Sequence, residues 1–213
     1  QLQPEGRDDA PVADRFATVA GGYTNDATGD WAFIGSGSDN SATAQLTVIG
    51  GGQSNNVTSH HASVVGGAGS TASGPYSFVG GGGEHVASGE MSAIVGGRAN
   101  TASGIGVFIG GGGWDGITAL GNVANGVASV VVGGMGNYAS NFYGFVGGGS
   151  ANNSGGGGAV VVGGIFNSAS ADASYVGGGS NNDASGQVST IAGGAVNSAS
   201  GINTFIGGGG GHI

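Results

Sequence analysis

The chain has 213 residues, 54 of them Gly, with no Cys, no Lys, three Arg and a formal charge of −9. So few basic groups exclude binding by phosphate neutralisation, hence nucleic acid as a partner, and the absence of Cys excludes a disulfide framework or thiolate metal site. No apolar run approaches the roughly 18 residues of a membrane-spanning helix, and collagen is excluded because Gly does not recur at every third place and only three Pro occur.

Residues 1–15 come first, with Glu5, Asp8, Asp9 and Asp14. They read as an acidic, solvated linker or lead-in segment. An opening at Gln1, without an initiator Met, reads as a processed or excised chain and suits a secreted protein.

From residue 16 to 213 the sequence returns on itself. Asn25, Asn40, Asn55, Asn100, Asn122, Asn137, Asn152, Asn167, Asn182 and Asn197 mark the repeat, with Ser70 and His85 standing in and His212 at the last place. Every step is 15 residues except Asn100 to Asn122, which is 22. A β-branched column keeps the same beat: Val19, Ile34, Ile49, Val64, Val79, Ile94, Ile109, Val131, Val146, Val161, Val176, Ile191 and Ile206. Three residues after each of these stands Gly, from Gly22 to Gly209, and two residues past the Asn place stands Ala, replaced only by Val57 and Ser154. Such regularity excludes disorder.

β-branched residues favour strands, Gly permits a sharp corner, and Asn is the non-Gly residue expected to take a left-handed corner. Each unit thus predicts a short strand, a Gly corner and a second extended piece around Ala-Ser-Gly. One unit cannot bury its apolar side alone, so units stack. The fold class is all-β: a parallel β-roll or β-solenoid of about thirteen 15-residue coils, about 60 Å long at strand spacing, with the Asn residues in a hydrogen-bonded ladder.

The Val/Ile column and the small residue two before it (Ala32, Ala62, Ser77, Ser92, Ser174) share the inner face. The opposite face receives Trp31 with Phe33, Tyr76 with Phe78, Tyr143 with Phe145, and Phe108, Tyr175 and Phe205. Two residues after each strand aromatic stands Gly (Gly35, Gly80, Gly110, Gly147, Gly177, Gly207), whereas intervening units carry Val65, Val95, Val132, Val162 or Ala192. The alternation gives a 30-residue super-repeat. A monomeric solenoid with 30-residue coils is one reading of it. The super-repeat slips between Gly35 and Gly50, which favours the 15-residue coil. Strands apolar on both faces are buried on both, yet no helix-like segment is present to cover the outer one. Self-association into a homotrimer is the expected remedy, with end-to-end stacking into filaments as a further possibility.

The strings TASGPYSFVGGGG (71–83), VASGEMSAIVGG (86–97) and DASGQVSTIAGG (183–194) resemble the YadA-like head repeat of trimeric autotransporter adhesins. The likeness runs over about residues 16–213. It implies a left-handed parallel β-roll made by three identical chains, displayed on a bacterial surface and used for attachment to a receptor or glycan. This sequence departs in its doubled Gly and longer unit, and the family's coiled-coil stalk and membrane-anchoring barrel have no counterpart in it. Phage tail fibres and other virion surface fibres also use repetitive trimeric β-structure and form the alternative reading.

The repeat breaks once, at a seven-residue insertion at about 114–120. Insertions in solenoids form loops, often on the binding face. Trp114, Asp115, Ile117 and Leu120 make this the candidate ligand or partner loop, Trp beside Asp suiting carbohydrate or protein contact. His60, His61 and His85 are the one histidine group before the terminus; neighbouring His on an extended chain point apart, so no metal site is expected. Glu84 and Glu90 have no fixed separation to make a catalytic dyad, GGGG precedes no helix and so cradles no phosphate, and Thr18, Thr47, Thr58 and Thr190 form no regular ice-binding array. No enzyme activity and no cofactor are expected.

Overall fold

The computed structural model describes residues 16–212; the acidic segment 1–15 and Ile213 lie outside the described residues. Twenty-five two-residue strands alternate between a 13-stranded and a 12-stranded parallel sheet. The first sheet holds the Val/Ile column and the second the Ala column. Its register is one repeat per rung: Phe33 lies beside Val48 and Ile34 beside Ile49, and the pairing continues across the insertion, Ile109 beside Val131. The rung is therefore 15 residues, and the 30-residue coil is excluded. Between the two sheets most coils add a one-residue bridge, such as Ser38 to Gln53.

Corners are where the sequence reading needs correction. The Gly three residues after each Val/Ile is left-handed as expected: Gly37 has φ 99, and a Cβ there would stand 1.9 Å from the Gly52 carbonyl oxygen. The marker Asn, however, does not take the next left-handed place. The residue before it does, as with Asp39 (φ 57), Ser54 (φ 55) and Glu84 (φ 59). A third left-handed place falls three residues before the Val/Ile column, at Trp31, Leu46, Tyr76 and Val188 among others. Such a backbone costs about 1–2 kcal/mol per non-Gly residue, and a hydrogen bond is the return. Strand N–H groups donate to the following coil, as Phe33 does to Thr47 (2.9 Å). The left-handed residues turn theirs backward: Asp39 donates to the Tyr23 carbonyl (3.0 Å) and Leu46 to that of Asp30 (2.8 Å).

The core is a narrow channel of four columns. From Ile34 to Ile191 the Val/Ile column is fully buried, Val19 and Ile206 in the end coils being half-buried. Facing it stand the Ala column and the small residues Ala32, Thr47, Ala62, Ser77 and Ser92. The Asn column is buried too, because each amide closes a polar account that no water reaches. Asn137 Nδ2 donates to the Gly133 (2.9 Å) and Gly149 (3.0 Å) carbonyls, and its Oδ1 accepts from the Asn152 N–H (3.0 Å). The ladder thus runs mainly through backbone groups, with direct amide-to-amide bonds only in places such as Asn40 to Asn25 (3.0 Å). Asn is needed inside, which is why its neighbour takes the corner.

Candidate functional site

Two surfaces depart from a uniform solvated coil. The first is the outer face of the Val/Ile sheet. Phe78 and Phe108 remain 38% and 39% exposed there, and Val95 and Val132 50% and 48%. Each strand aromatic leans along its own strand over the Gly two residues on. Phe78 Cε1 is 3.3 Å from where a Cβ on Gly80 would be, and Tyr175 Cε1 is equally close at Gly177. Rings and Val side chains take turns filling the same strip, which leaves a largely apolar face, with Thr18, Ser63 and Thr190 as its polar members.

Trp31, Tyr76 and Tyr143 do not share that strip. Their left-handed backbone breaks the strand alternation and sets them on the adjoining corner. There Trp31 stacks on Phe16 (4.3 Å between ring centroids) and Tyr76 on His61 (4.8 Å). His60 meets Tyr76 edge-on at 5.5 Å. His85 lies apart from both, inside the Asn column, where its Nδ1 accepts from the Asn100 N–H (3.2 Å). Its Nε2 faces the Gly97 and Gly81 carbonyls, as the Asn amides do in their coils, but meets neither at good geometry. Burial pushes the His85 pKa down, and those carbonyls oppose the shift. Among the described residues no group of three or more His, Cys, Asp or Glu could hold a metal ion.

The second surface is the insertion. The chain leaves the coil after Gly113, whose N–H still bonds to Gly134 (2.8 Å), and rejoins at Leu120, whose carbonyl accepts from Gly136 (2.8 Å). Between them Trp114 bridges antiparallel to Ala119. Asp115 Oδ1 closes the turn, accepting from the Ile117 (2.8 Å) and Thr118 (2.6 Å) N–H groups. These bonds, that from Thr118 foremost, hold the Asp115 carboxyl below its ordinary pKa. Asp115 is thus spent on loop shape, while Ile117 and Leu120 stand exposed.

Trp114 is laid back over the preceding coil, with the Arg98 guanidinium 4.7 Å from its ring centroid. Arg98 in turn grips Glu84, Nη2 to Oε1 at 2.7 Å and Nε to Oε2 at 3.3 Å. That hydrogen bonding, with the paired charge, lowers the Glu84 pKa and raises that of Arg98. The three side chains wall an open groove of about 550 Å³ floored by Ala68, Gly82 and Gly83. Sequence spacing misses this trio, since it sets Glu84 beside Glu90 and not Arg98. Written in rows of 15, the chain puts Glu84 and Arg98 one coil apart with a one-residue offset, and that signal was available.

No helix among the described residues is long and apolar enough to cross a membrane. No protein-family model and no curated protein matches the chain.

Proposed function

We propose that the chain is a rigid extracellular attachment module, a non-enzymatic adhesive β-roll displayed on a bacterial surface and working as a homotrimer. The largely apolar outer face of the 13-stranded sheet carries this reading. At strand spacing it measures on the order of 600 Å², the upper end of the apolar patch a soluble monomer exposes. A parallel sheet with both faces apolar belongs in an interior. Three chains with these faces turned to a common axis shelter them, and leave the remaining sides outward for contact. The head-repeat resemblance supplies the number three and the surface setting. A rod so poor in charge and in chemically reactive clusters suits display and attachment better than catalysis.

Beads coated with the chain test the attachment reading in a flow cell over mammalian cell monolayers. The reading expects retention above uncoated beads and loss of it with a Phe108→Glu variant that separates the chains. Equal retention of coated and uncoated beads would refute it.

A further inference from the structure

We propose that the groove walled by Trp114, Arg98 and Glu84 is a binding site for a neutral saccharide. The inference gives the attachment reading a ligand class and rests on it for its biological sense, but it stands on different residues. The insertion is the only departure from the 15-residue beat, and its hairpin carries one large aromatic ring back over the coil's own ion pair. The bridge column that floors the groove reaches the size of Gln53, Met135 and Ile165 in other coils but holds Ala68 and Gly83 here. Small residues recur in it, as at Ala195 and Gly210, but only here do an ion pair and a Trp ring stand beside them. With no side chain in the way, a trough of about 550 Å³ opens, within the usual range for small-ligand sites.

The chemistry of the walls selects the ligand. Arg98 and Glu84 cancel each other's charge at 2.7 Å, so a charged ligand gains nothing that a neutral one lacks. Both groups keep hydrogen-bonding capacity. The guanidinium has five N–H donors and spends two on Glu84, and the carboxylate has lone pairs beyond the two it uses. Adjacent hydroxyls on a pyranose meet such a pair by donating to Glu84 and accepting from Arg98. The C–H face of the sugar ring takes the apolar contact on the part of Trp114 that Arg98 does not cover, the residue being 45% exposed. A purely apolar ligand would strand the ion pair, and an anion, drawn by Arg98 and opposed by Glu84, would gain nothing from its charge. The groove lies round the glycine corner from the ringed sheet face, so assembly through that face leaves it open.

The chain has two Trp, Trp31 and Trp114, so a Trp31→Phe background makes emission report on Trp114 alone. In that background the probes are cellotetraose, maltotetraose and N,N′-diacetylchitobiose, with a galacturonic acid tetramer as the charged comparison. The proposal expects a saturable emission change with at least one neutral probe, with a dissociation constant on the order of 1 mM or tighter. Affinity should fall tenfold or more in both Arg98→Gln and Glu84→Gln. No change with any neutral probe, a change only with the acidic one, or a change indifferent to both variants would overturn it. Light scattering on the same samples separates the two readings. A trimer blind to sugar sinks this inference alone, and a sugar-binding monomer sinks the trimer alone.

Discussion

The ring of Phe108 lies over Gly110, its Cε1 3.5 Å from the place a Cβ on that glycine would occupy. The same Cβ would also stand 2.3 Å from the Val132 carbonyl of the next coil. A Gly110→Val chain must therefore shift that rung, while the added γ-methyls crowd the ring. Its expected cost is about 1–3 kcal/mol, as for other overpacked sites, read as a lower midpoint in urea. Val95→Ala, which trims an exposed side chain without touching the backbone path, should leave the chain's own stability almost unchanged.

Asn137→Leu strands the Gly133 and Gly149 carbonyls and the Asn152 N–H at once. At about 1–3 kcal/mol for a buried polar group left unpaired, this variant should be among the most damaging single changes at the surface of the channel. Conversely, the Ser70 hydroxyl accepts from the His85 N–H (3.2 Å) but is too short to reach the two carbonyls that Asn serves in other coils. Ser70→Asn should stabilise by about 1 kcal/mol. Chemical denaturation of both variants checks the pair.

His85 sets a pH dependence with a definite sign. Its folded pKa lies below the ordinary value of 6.5 because burial opposes the charge, so the unfolded chain binds the proton more readily. The stability it contributes is whole above about pH 6.5 and declines as the pH falls from there toward the depressed folded pKa. Protonation also removes the Nδ1 acceptor for Asn100. His85→Asn should abolish the slope between pH 6.5 and 5 in a thermal melt; a slope that survives the change would place its origin elsewhere.

Val131 is fully buried among apolar side chains, and Val131→Asp puts an unpaired carboxylate there, which should abolish folding altogether. Deleting 114–120 should do the opposite of harm. The step from Asn100 to Asn122 becomes the ordinary 15 residues, and the coils on either side already pair in register. The expected result is a β-sheet circular dichroism spectrum and a melting temperature close to those of the full chain; loss of folding would mean that the loop is structural.

The thirteen β-branched residues and the beat of 15 made the rung legible, because only a stacked parallel coil puts Ile34 beside Ile49 at every turn. The corners were not legible from residue preference. Asn tolerates a left-handed backbone, but the carbonyls of two successive coils compete for its amide, and that demand appears only once the coils are stacked. Trp31 and Tyr76 were misplaced for a related reason. Alternation along a strand holds only while φ stays negative, and one residue of opposite sign turns a side chain from face to corner. Arg98 on Trp114 depends on where a seven-residue hairpin falls, and length alone does not fix its direction.

The account turns on whether the ringed faces shelter one another. Static light scattering of the purified chain, set beside the Phe108→Glu variant, measures this most directly. The account predicts three times the chain mass of 19.9 kDa for the natural chain and a single chain mass for the variant. A well-folded natural chain that scatters as one copy across the micromolar range would contradict it.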